Sequence, residues 1–112
     1  MDTSALPEVS ATLLDEARAH SAHRAARTLC GGSGHTLRQT AIALLAESTL
    51  SDHENPGEAT LQVLQGRVRL SWSEDAVDLD AGEHVVIPQQ RHGLLALTDA
   101  VVLLTAAITG QE

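Results

Sequence analysis

Between Asp52 and Gly66 the chain reads D-H-E-N-P-G-E-A-T-L-Q-V-L-Q-G, and no other stretch limits its fold as closely. Asn55-Pro56-Gly57 is a turn, with proline fixing φ and glycine supplying a left-handed position. From Ala59 to Leu64 β-compatible residues run up to a glycine, and Arg67-Val68-Arg69-Leu70-Ser71-Trp72 then alternates polar and apolar as a half-buried strand does. Gln65-Gly66 is therefore a hairpin turn between two strands.

Further strands follow at near-regular spacing. Ser73-Glu74-Asp75 turns into Ala76-Val77-Asp78-Leu79-Asp80, which alternates strictly, and Ala81-Gly82-Glu83 turns into His84 to Pro88. Gly93 to Leu97, a turn at Thr98-Asp99, and Ala100 to Ile108 complete the series. Upstream, Arg24 to Cys30 reads as a first strand closed by the turn Gly31-Gly32-Ser33-Gly34. His35 to Ala46 reads as a second strand, and Glu47 to Asp52 as a polar connector. The glycine cluster does not suit a phosphate loop, which needs a helix behind it rather than a strand. Strands of five to nine residues parted by Gly, Asp or Pro predict an all-β sandwich or barrel.

One helix precedes the strands, over residues 8 to about 22. Ser10 is its expected cap, Asp15 and Glu16 lie in its early turns, and Val9, Leu13, Leu14 and Ala17 form an apolar stripe. His20 and His23 fall at its end, where an imidazole suits the negative pole of the dipole. The last strand is apolar on both faces, and exposed apolar surface costs roughly 25 cal/mol per Å². The helix or a second subunit must cover it.

The His53 stretch resembles the first motif of the cupins, which runs His, any residue, His, three or four residues, Glu, six residues, Gly. In this register His53 takes the first His, Asn55 the second, Ala59 the Glu and Gly66 the Gly. The second motif, Gly, five residues, Pro, then His, falls on Gly82, Pro88 and His92, with Pro88-Gln89-Gln90 in place of the usual Pro-x-Gly. The phrase H-E-N-P-G-E-A-T-L-Q-V-L-x-G-R-V also resembles short bacterial single-domain cupins. The resemblance implies an RmlC-like jelly-roll barrel, or double-stranded β-helix, over residues 35–108. A short N-terminal α-helix and first strand would occupy 1–34 and a tail 109–112, all in a single domain. Cupins of this size are commonly dimers, so a homodimer is expected.

Composition narrows the function. The 112 residues suffice for one domain with a single core. Net charge is −8, lysine is absent and all seven basic residues are arginine; such a surface cannot neutralise phosphates, so nucleic acid and membrane are poor partners. The N-terminus lacks a cationic region followed by an apolar run, and a cytoplasmic location is expected. Cys30 is the one cysteine, which excludes an internal disulfide and fits a small residue packed at a strand end. Trp72 is the one aromatic residue, so the core is aliphatic and stacking on a sugar is disfavoured.

Residues two apart on a strand share a face. His53 and Asn55 therefore share one, which in the cupin register is the barrel interior; Leu61 and Val63 continue it, and His92 enters the same cavity. Cupin metal sites resemble three His plus one Glu around Fe, Mn, Ni, Cu or Zn. Here Asn55 offers a neutral amide oxygen and Ala59 offers nothing, whereas catalytic divalent metals need at least three good protein ligands. A divalent transition metal is expected to bind weakly at best. His84 could join His53 and His92, as could Glu58 if a bulge re-aims it, and His35 and Gln39 share a face that could line the cavity.

Two functions stay open. One is a binding or regulatory module whose barrel holds a small molecule against His53, Asn55 and His92, over Leu61 and Val63. The other is a metal-dependent oxygenase or isomerase with His53, His92 and His84 or Glu58 on the metal. Ala59, where the family keeps a carboxylate, favours the first. Arg38, Arg67 and Arg69 could hold a carboxylate ligand at the mouth, though their alternation favours a solvated outer face.

Overall fold

A computed structural model describes residues 2–53 and 57–107, with the backbone alone for 51–53. The described residues form helix α1 (Leu6–Ala19) and strands β1 (Arg24–Cys30), β2 (Leu37–Leu44), β3 (Thr49–His53), β4 (Ala59–Gln65), β5 (Arg67–Trp72), β6 (Asp75–Asp80), β7 (His84–Val86), β8 (His92–Ala96) and β9 (Ala100–Ala107). The strands pair antiparallel in two sheets, one ordered β1-β2-β9-β4-β7 and the other β3-β8-β5-β6. The two sheets form a jelly-roll sandwich, and strand β1 is the edge of its larger sheet.

Alternation decides what each face meets. On β4, Ala59, Leu61 and Val63 point inward, and on β5 Val68 and Leu70 do. With Leu44, Leu94 and Val102 they make an aliphatic core between the sheets. Burying each large side chain is worth about 1.5–3 kcal/mol, which offsets the absence of aromatics.

Helix α1 lies on the outside of the five-stranded sheet. Val9, Leu13, Leu14 and Ala17 pack on Ala41, Ala43 and Val101, the small residues of β2 letting the helix approach closely. This covers the outer face of β9 at Val101, as the apolar run requires. The helix begins earlier than a Ser10 cap implies: Ala5 is the N-cap with no side-chain bond, proline stands in the first turn, and Ser10 is buried in the docked face. Pro7 is tolerated there because the first-turn N–H groups have no helical partner.

A second departure is β3. The sequence predicts a connector over Glu47 to Asp52, yet Thr49–His53 is an edge strand paired with β8. Its sequence, T-L-S-D-H, has one apolar residue, so no period-two signal exists. Its partner imposes the strand.

The outer face of the four-stranded sheet is charged. Arg67 donates to Asp80 at 3.0 and 3.1 Å, and Arg69 to Asp78 at 2.7 and 3.1 Å, each pair directly opposite across β5 and β6. The Arg69 hydrogen bond, against a smaller opposing effect of desolvation and with the Arg69 and Arg67 charges in support, holds the Asp78 carboxyl below its ordinary value of 3.8. A folded pKa below the unfolded one stabilises above the unfolded value, and that contribution is lost as pH falls through the folded value. Asp78→Asn is therefore expected to lower the urea midpoint at neutral pH, with the deficit closing well below pH 3.8 and in high salt. An equal deficit at all pH values would show that the pair contributes packing rather than charge.

Candidate functional site

Three elements build the inner end of the barrel. β3 and β8 bring the backbones of His53 and His92 directly opposite each other, and Trp72 of β5 is the partner of His92 on the other side. His92 is 4% exposed. Its Nδ1 lies 3.0 Å from the carbonyl oxygen of Gln90; a carbonyl can only accept, so Nδ1 carries a proton and donates. The turn before β8 thus fixes the ring from its own backbone.

His92 is the polar member of a cavity otherwise lined by aliphatic side chains, among them Ile42, Leu50, Leu61, Leu70 and Leu104. The cavity measures about 20 Å³. A single water needs about 10–15 Å³ of such space, so the interior is filled except for a water-sized gap. Leu61 lines the gap, as expected, whereas Val63 is fully buried in the core and does not.

The other expected site residues separate. Asn55 lies outside the described residues, as does the side chain of His53. His84 is exposed on the edge strand β7, paired with Gln62, while its neighbour Val85 faces the core. Strand parity therefore aims His84 away from His92, and it cannot complete a metal site inside the barrel. Gln39 also points outward, donating to Thr105 at 3.1 Å, and His35 borders the same external groove. Glu58 is exposed just before β4.

Arg38 is exposed, as a solvated position requires, but its strand parity is inward. It alternates with Thr40, Ile42 and Leu44, and Ile42 and Leu44 face the core, so Arg38 occupies an inward position at the barrel end. Its register partner is Ala106, and Ala106 in turn pairs with Ala59. Small residues thus stand between Arg38 and the place where the family keeps a carboxylate. Arg38 makes no ion pair or hydrogen bond with the described residues, whereas Arg67 and Arg69 are engaged on the far outer face. Alternation along β2 carries the correct parity for Arg38, but which face is inward depends on the helix docking opposite it.

The fold family implies a metal here, and the donors can be tested for fit. Among the described residues no three His, Cys, Asp or Glu side chains gather into a site, and Ala59 is buried among apolar residues. Taken alone, the described donors fall short of the three protein ligands that a catalytic divalent ion needs. What the arrangement offers is one buried imidazole against an aliphatic lining.

Neither a protein-family model nor a curated protein matches the chain. Solved structures do. A conserved protein of unknown function from Streptococcus pyogenes is similar with a TM-score of 0.72 at 22% identity, covering 82% of this chain and 80% of the other. A cupin superfamily protein from Desulfitobacterium hafniense gives 0.70 at 15% identity over 76% and 77%. A transcriptional regulator of the HTH_3 family from Vibrio cholerae gives 0.64 at 27% identity, covering 75% of this chain and 50% of the regulator. Two sheets in this order, an inward His92 at the head of β8 and these neighbours together make the chain a cupin in fold, a jelly roll of the RmlC-like kind.

Proposed function

We propose that the chain is a non-catalytic recognition module that takes up a small carboxylate at the mouth of its barrel, with His92 and Arg38 as its polar contacts. The carrying observation is the buried His92 imidazole, anchored on Gln90, in an otherwise aliphatic lining. Arg38 adds a cation, unpaired among the described residues, on an inward position at the same end of the barrel. The water-sized gap limits what enters to a methyl-scale end, so the ligand lies mainly over the mouth. Similarity to half of the Vibrio cholerae regulator supports a regulatory module over an enzyme.

The test is titration of the purified protein with acetate, butyrate and the corresponding alcohols, followed by isothermal calorimetry. A hydrogen bond to a charged group is worth about 1.5–3 kcal/mol, so butyrate is expected to bind at least about tenfold tighter than butanol, and Arg38→Gln to remove that preference. Equal binding of acid and alcohol in wild type would remove Arg38 from the site.

The backbone pairing of His53 with His92 favours one second reading, a metal-dependent oxygenase or isomerase. Elemental analysis of the untagged protein separates the two. The recognition module is expected to carry well under one metal ion per chain after growth in supplemented medium. Near-stoichiometric Fe, Mn, Ni, Cu or Zn, lost on His92→Ala, would overturn it.

A further inference from the structure

On one flank of the sandwich, two edge strands, β1 of the larger sheet and β3 of the smaller, border an open groove of about 360 Å³. Ile42 and Leu50 form its floor, and His20 and Arg24 stand at its rim. Alternation explains the floor. Arg24 and Ala26 pair with Leu44 and Ile42 of β2, and those two face the core, so Arg24 and Ala26 continue the inner face of the five-stranded sheet. Ala26 is too short to cover its partner, and Ile42 and Leu50 stay half-buried although they face the core. The same two side chains line the gap beside His92, and they part the groove from the interior.

We infer that this groove binds a medium-chain monocarboxylate, with the alkyl tail on Ile42 and Leu50 and the carboxylate at Arg24. The side chains at the rim offer a ligand donors only. Arg24 Nη1 donates to the Thr49 carbonyl oxygen at 3.2 Å, which ties the side chain across the flank, and the guanidinium keeps further N–H groups for an acceptor. His20 Nδ1 accepts from the Ala22 amide at 3.0 Å, so the proton of the neutral ring sits on Nε2. No carboxylate lines the groove among the described residues, although the chain has 15 acidic residues against seven arginines. Donors at the edge of an aliphatic floor match a carboxylate that carries a tail.

Size and position separate this groove from the mouth of the barrel. Small-molecule sites commonly measure about 300–1,000 Å³, and the groove falls at the lower end of that range, whereas the gap beside His92 has room for about one water. Arg24 stands opposite Leu44, at the far end of β2 from Arg38 and about 20 Å from it along the strand. One carboxylate cannot reach both. Each buried methylene tightens binding by about fourfold, so chain length should matter in the groove and not at the mouth, where only a methyl-scale end enters.

Isothermal calorimetry in an Arg38→Gln background, which removes the cation of the mouth, tests the groove alone, with circular dichroism confirming each fold. Hexanoate is expected to bind at least about tenfold tighter than butyrate and at least about tenfold tighter than hexanol. Ala26→Leu, which sets a larger side chain beside Ile42, should weaken hexanoate by at least about tenfold; with Arg38 in place, it should leave the acid preference of the mouth unchanged. Arg24→Gln should bring hexanoate level with hexanol, and Arg24→Lys should restore part of the difference. Hexanoate that binds wild type but not Arg38→Gln belongs to the mouth and overturns the inference. Binding that Ala26→Leu leaves intact overturns it too, as does equal binding of hexanoate and hexanol in Arg38→Gln, or no binding at millimolar concentration. Hexanoate affinity that falls as the protein concentration rises would assign the groove to a second copy of the chain instead.

Discussion

Gly66→Ala should lower the melting temperature by about 10–20 °C, measured by circular dichroism. Gly66 closes the β4–β5 hairpin with φ +83°, a left-handed conformation that costs an L-residue about 1–2 kcal/mol. An added methyl would also overlap the backbone oxygen of Asp99 and come within 2.9 Å of Ala100 Cα and Thr98 Oγ1. This is a collision with backbone, which cannot move aside as a side-chain end can, and overpacking of that kind costs about 1–3 kcal/mol more. The hairpin cannot simply shift, because Thr98 Oγ1 accepts from the Arg67 amide at 3.1 Å and the Leu97 amide donates to the Arg67 carbonyl at 2.9 Å. Gly82 provides the control. Its φ of +91° is equally left-handed, yet a methyl added there would meet no atom within 4 Å. Gly82→Ala should therefore carry the conformational cost alone, about 1 kcal/mol or a few degrees. Equal losses at the two positions would show that close approach at Gly66 contributes nothing.

That contrast also shows what a sequence can and cannot convey. Both glycines are readable as turn positions, since Gln65-Gly66 and Ala81-Gly82-Glu83 each separate alternating runs. Their different neighbours are not, because Thr98, Asp99 and Ala100 arrive from a turn 32 residues or more downstream. The same division holds across the molecule. β5 and β6 are legible because each carries its own period-two pattern, and the buried residues Val68, Leu70 and Leu79 follow it. β3 is illegible because its partner β8, not its composition, makes it a strand. At the site, the inward, buried position of His92 follows from the motif spacing. The outward aim of His84 follows from the strand on which it sits, where Val85 takes the core position. Arg38 needs the helix: only when α1 docks on Ala41 and Ala43 does the alternate set, Arg38 with Ile42 and Leu44, become the inner one.

Leu70→Ala addresses whether the barrel is a container at all. Leu70 is 1% exposed and lines the gap beside His92. Truncating a fully buried leucine costs about 3–5 kcal/mol, from lost transfer free energy and from the cavity left behind. That is a melting loss of about 12–20 °C here, taking about 4 °C for each kcal/mol. The void would grow from a water-sized gap to on the order of 100 Å³, the scale at which dry apolar cavities admit benzene or xenon. Benzene should therefore raise the melting temperature of Leu70→Ala and leave wild type unchanged, since a ligand stabilises only the state that has room for it. Stabilisation of both proteins alike would mean that the native interior already opens, and the ligand would then belong inside the barrel rather than over its mouth. Should the contrast hold, the aliphatic packing that replaces aromatics in this core is also what closes the barrel, and the proposed ligand would lie over the mouth with only a methyl-scale end reaching the buried His92.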